Sequence, residues 1–68
     1  MNKKINGIVI DFDGTYGRIL SSDRVHYLLL SKEIIDGTVK AGDIVEFIPD
    51  RKVTPTITSL IARFVTKK

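Results

Sequence analysis

Residues 5–20 read Ile5-Asn6-Gly7-Ile8-Val9-Ile10-Asp11-Phe12-Asp13-Gly14-Thr15-Tyr16-Gly17-Arg18-Ile19-Leu20. The first eight form a mainly apolar run rich in β-branched residues that ends in Asp13-Gly14, which is ordinary turn chemistry. Tyr16 to Leu20 forms a second short run, so the stretch predicts strand, turn, strand. Working outward, Ser21-Ser22-Asp23 is a polar connection and Arg24 to Leu30 a third run, which together predict a hairpin. Ser31 to Ile35 has room for one helical turn, with Ser31 as its N-cap. Asp36-Gly37 and Ala41-Gly42 bracket a loop. Ile44 to Ile48 is a fourth strand, stopped by Pro49-Asp50, and Pro55 opens a last run that continues to Val65. Five short strands separated by turn signals predict a small sandwich or barrel.

Composition agrees. The chain has 68 residues, the length of one small domain spanning 1–68. Ile, Val and Thr together supply 22 residues, whereas alanine occurs only at Ala41 and Ala62, a mix that favours strands over helices. At 43% hydrophobic and 28% charged the chain reads as globular, not disordered. It has no cysteine, which excludes disulfides and cysteine-bearing metal sites. A lone histidine, His26, cannot build a common metal site, so neither metal nor cofactor is expected. No apolar run reaches the roughly 18 residues of a membrane span, so no membrane partner is expected. No secretory-type apolar stretch follows Lys3 and Lys4, so a cytoplasmic location is expected. The net charge of +3 permits an anionic partner without requiring one.

A flat sheet of these strands would leave two sticky edges, whereas a closed barrel removes them and puts alternate residues inside. Val45 and Phe47 alternate with Ile44, Glu46 and Ile48, and Leu60, Ala62 and Phe64 alternate in the last run in the same way.

The motifs extend this. Gly7-x-Val9-x-x-Phe12 followed by Tyr16-Gly17-x-Ile19 resembles the start of a cold-shock domain, which reads roughly G-x-V-x-W-F-N, K-G-F-G-F-I and V-F-V-H-F. Lys40-Ala41-Gly42-Asp43-Ile44-Val45-Glu46-Phe47 resembles that family's E-G-Q-x-V-x-F segment, and Pro55 to Leu60 its final P-x-A-x-N-V strand. The resemblance spans about Gly7 to Leu60 and implies an all-β, five-stranded antiparallel OB-type barrel that binds single-stranded RNA or DNA. That family stacks bases on aromatic side chains over a basic surface. Carried over by position, Asp11 falls where the family has Trp, Phe12 on the neighbouring Phe, and Tyr16 and Arg18 on the two Phe of K-G-F-G-F-I. In the third motif Tyr27 takes the Phe position and Leu29 the His position, or a one-residue shift brings His26 there. The resemblance thus implies Phe12, Tyr16, Tyr27 and His26 as base contacts. Arg18, Lys32, Lys40, Arg51, Lys52 and Arg63 are the candidates for phosphate.

Asp11-Phe12-Asp13-Gly14-Thr15 at the end of an apolar strand also resembles the D-x-D-G-T signature of haloacid-dehalogenase phosphohydrolases, where the two carboxylates act as nucleophile and acid/base. Length argues against that reading: each βαβ unit of such a fold needs roughly 30 residues, several are required, and no amphipathic helix is visible. No triad and no G-K-[ST] phosphate loop is present, so a binding protein and not an enzyme is expected. The other expectation is a protein-binding module on the same barrel. Such a module would be an accessory or inhibitory protein of the kind a phage or mobile element encodes, monomeric or weakly dimeric, with an exposed apolar face built from residues such as Ile8, Ile10, Leu20, Leu29, Ile44 and Ile48.

Overall fold

A computed structural model describes residues 3–35, 37–53, 55–56 and 58–68. Five strands, β1 (Ile5–Phe12), β2 (Tyr16–Ser21), β3 (His26–Leu30), β4 (Ile44–Val53) and β5 (Thr58–Lys67), close into a barrel in the order β1-β2-β3-β5-β4. All neighbours are antiparallel except β3 and β5, which run parallel through Leu28↔Ile61. This order and its single parallel pair are compatible with OB-type folds. A 3-10 turn, Ser31–Glu33, directly follows β3.

Period-two alternation sends Val9, Ile19, Leu29, Val45 and Phe47 inward, and with Val65 these are the largest fully buried side chains among the described residues. Val39, from the loop before β4, is buried as well. Gly7 and Gly17 have no side chain because none would fit: a Cβ on Gly7 would lie 2.5 Å from Ile19 Cγ2, and one on Gly17 would lie 2.7 Å from Phe12 Cα.

Three expectations are corrected. First, β4 does not stop at Pro49 but runs on to Val53. β1 pairs with β4 only from Ile8↔Ile44 to Ile5↔Phe47, so beyond Phe47 β4 has one neighbour, and a proline is tolerated on such an edge. Second, Leu60, Ala62 and Phe64 do not keep strict alternation. The β4–β5 register shifts between Glu46↔Thr66 and Ile48↔Arg63, so Phe64 and Val65 together oppose Phe47. This bulge puts Phe64 at φ +51° and turns it outward, 54% exposed. Third, the run from Arg24 becomes strand only at His26, because Arg24 takes φ +67° in the connection from β2. There its N–H donates to the Ser21 carbonyl at 2.9 Å.

Three carboxylates couple this fold to acid. Tyr16 and Thr15 amides hold Asp13 below its ordinary range. The Lys40 amide, with help from Lys67, does so for Asp43, and the Arg63 guanidinium, with the Arg51 amide, for Asp50. A carboxylate whose folded pKa is depressed stabilises the fold above its unfolded value, about 3.9, and loses that contribution as pH falls through the folded pKa. The thermal midpoint followed by circular dichroism is therefore expected to hold at weakly acidic pH and to fall below about pH 4. A midpoint that rises on acidification would contradict the three contacts.

Candidate nucleic-acid interface

The outer surface of β1, β2 and β3 carries the candidate site. On β2 the outward residues are Tyr16, Arg18 and Leu20, and register places them against Leu30, Leu28 and His26 of β3. Tyr16 is 56% exposed. The turn before it is built by Asp13, whose Oδ1 accepts from the amides of Thr15 (2.8 Å) and Tyr16 (2.9 Å) while Gly14 takes φ +97°.

β1 enters this face through a bulge. Its pairing with β2 shifts between Val9↔Ile19 and Asp11↔Arg18, so Ile10 is an extra residue and both Ile10 and Asp11 face solvent. Strict alternation from Val9 would have sent Asp11 inward. The bulge instead sets it across from Arg18, whose Nη2 donates to Asp11 Oδ2 at 2.8 Å, and this contact raises the guanidinium pKa further. Both partners are more than half exposed, so the pair adds little to stability and leaves its outer side open to a ligand.

Phe12, half-buried, pairs with Gly17 and completes the wall. Asp11, Phe12, Asp13, Tyr16, Gly17, Arg18 and Leu28 line an open hollow of about 480 Å³. Asp11 and Asp13, the carboxylates of the phosphohydrolase-like string, are thus engaged by Arg18 and by turn amides respectively. Among the described residues no group of three or more His, Cys, Asp or Glu is placed to hold a metal ion.

The structure brings together Phe12, Tyr16 and Arg18, with His26 further along the same face. It does not bring Tyr27 there. Tyr27 is 8% exposed, with its ring 5.0 Å from that of Phe47, and burial pushes its hydroxyl pKa up. His26, Leu28 and Leu30 point outward, and Tyr27 and Leu29 are core. A run of five side chains, all but His26 apolar or aromatic, gives no internal signal of which parity faces in, and nothing in the run marks Leu28 as a wall of the hollow for the same reason.

The other cationic candidates are dispersed. Lys32 is exposed on the 3-10 turn, and Lys40 sits in a loop whose Gly42 and Asp43 hydrogen-bond Val9. Arg51 and Lys52 lie on β4, which β5 separates from β3. Arg63, partly exposed, is paired within the chain: its Nη1 donates to Glu33 at 2.7 Å and its Nε to Asp50 at 3.0 Å. Arg63 thereby ties β5 to β4 and to the 3-10 turn, away from the hollow beside Tyr16.

A separate apolar row crosses the barrel wall where Leu20, Ile8 and Ile44 are direct cross-strand neighbours. Ile8 and Ile44 are exposed and Leu20 half-buried. No protein-family model matches this sequence, and no curated protein is significantly similar to it.

Proposed function

We propose that this barrel binds single-stranded nucleic acid in the manner of a cold-shock-like domain, over the outer face of β1, β2 and β3. The observation that carries the reading is the hollow shared by Tyr16, Phe12 and Arg18. An exposed Tyr ring is a platform for any base, and such stacking is worth about 1–3 kcal/mol per base. Arg18 lies next-but-one on the same strand and offers a planar cation beside that ring. His26, Leu28 and Leu30 extend the face along β3. The net charge of +3, with exposed Lys and Arg around the barrel, adds attraction that salt screens.

The test is fluorescence anisotropy with labelled single-stranded heptanucleotides of random sequence. Binding is expected at low salt and should weaken as salt rises. Tyr16→Ala is expected to weaken it about tenfold or more while leaving the melting curve nearly unchanged. No binding at low salt would sink the reading.

A second reading rests on the Leu20–Ile8–Ile44 row, an apolar surface suited to a protein partner or a second copy. Its check is sedimentation equilibrium. Self-association abolished by Ile44→Glu supports it, and a strict monomer removes the second copy as occupant.

A further inference from the structure

The hollow beside Tyr16 has a polar edge as well as an aromatic wall. Arg18 Nη2 is bound to Asp11 Oδ2, and among the described residues Asp11 Oδ1 accepts no hydrogen bond and Arg18 Nε and Nη1 donate none. The exposed side of the pair therefore presents free guanidinium donors next to a carboxylate that still has acceptor capacity on both oxygens. Asp13 adds a second carboxylate at the rim, with Oδ1 already taken by turn amides.

A phosphate is a poor fit at this spot. Asp11 cancels the charge of Arg18, and a phosphate approaching the guanidinium also approaches the carboxylate. The edge of an unpaired base is a better one. The four bases differ in what they offer there. Guanine alone presents two adjacent donors, N1–H and N2–H, with the O6 acceptor beside them. A carboxylate accepts both donors, and a neighbouring guanidinium donates to O6. Adenine and cytosine each offer one amino donor with a ring-nitrogen acceptor beside it. Thymine and uracil offer one imino donor between two carbonyls, which a carboxylate faces with repulsion.

We infer that the Arg18–Asp11 pair reads the Watson–Crick edge of an unpaired guanine stacked on Tyr16. The inference rests on the nucleic-acid reading above and supplies its base preference. In this view Asp11 is a specificity residue, standing where a pure stacking surface would carry another ring.

The experiment compares heptathymidine with the same oligomer carrying one central guanine or one central cytosine, using anisotropy at low salt. With the native protein, the guanine oligomer is expected to bind about tenfold more tightly than heptathymidine and more tightly than the cytosine oligomer. In Asp11→Asn the side chain keeps only one acceptor. The guanine preference is then expected to collapse, while heptathymidine binds as well or better. The release of Arg18 should also steepen the salt dependence by about one phosphate equivalent. Asp11 is exposed, so the variant should fold, and its circular dichroism spectrum checks this. Equal affinity for all three oligomers, or a guanine preference that survives Asp11→Asn, overturns the inference and leaves single-strand binding standing. Failure of every oligomer to bind, random-sequence ones included, overturns the nucleic-acid reading itself.

Discussion

Phe47→Ala is expected to lower the thermal midpoint of the barrel by about 15 °C or more. Phe47 is the largest fully buried side chain of the barrel. Its ring lies 5.0 Å from that of Tyr27 at an interplanar angle of 60°, and its Cε1 reaches the space that Gly7 leaves empty. It therefore joins β4, β3 and β1 at one point. Truncating such a ring costs about 3–5 kcal/mol in lost burial and residual cavity. A domain of 68 residues commonly has only about 3–10 kcal/mol to lose. Far-UV circular dichroism on heating should show a lost or much shortened folded baseline. Phe47→Leu, which keeps most of the volume, should retain a cooperative transition. An alanine variant that melts within a few degrees of the native protein would contradict the packing described.

Gly17→Ala is the second large effect. At this point β1 bends over β2 just past its bulge, and the Asp11 carbonyl and the Phe12 backbone occupy the place where a Cβ would go. Those atoms are main chain, so no rotamer change relieves the clash. Overpacking of this kind costs about 1–3 kcal/mol and occasionally more. For a domain of this size each kcal/mol moves the midpoint by about 4–8 °C, so a fall of about 10 °C or more is expected. Gly14→Ala is the internal comparison. Its φ of +97° makes a side chain unfavourable, but nothing lies within 4 Å, so the loss should be nearer 1 kcal/mol, about that of forcing a left-handed residue. If the two variants melt alike, the close approach of β1 to Gly17 is wrong. Because Gly17 also lines the hollow, a partly folded Gly17→Ala protein should lose oligonucleotide binding along with stability.

Much of the architecture was legible before any coordinates. The bounds of β1 match the sequence reading, Ile5 to Phe12, because an apolar run meets an Asp-Gly turn there. The single helical turn after Leu30 is present, although its cap is Leu30 and not Ser31. The hairpin of β2 and β3 follows from its polar connection, and Val45 and Phe47 point inward as their alternation requires. The site was less legible. Tyr16 and Arg18 are exposed neighbours, as a period of two from buried Gly17 and Ile19 demands. Tyr27 was misplaced because every residue of β3 after His26 is apolar or aromatic, so either parity could fill a core. Arg63 looked like a free cation because its partners are 30 and 13 residues away in sequence.

The residue order alone thus determined the number of strands, the Asp-Gly turn after β1 and the inward set on β4. These are local matters of β-branched runs, glycine turns and alternation. Only the tertiary structure decided the rest. Closing five strands into a barrel requires them to coil, and the two bulges that accompany that coiling reset the alternation at Ile10 and at Phe64. One bulge turns Asp11 out to meet Arg18, and the other leaves Phe64 in solvent. Which side of β3 faces inward was settled by contact with Phe47, a residue 20 positions from Tyr27, and no pattern within β3 carries that information.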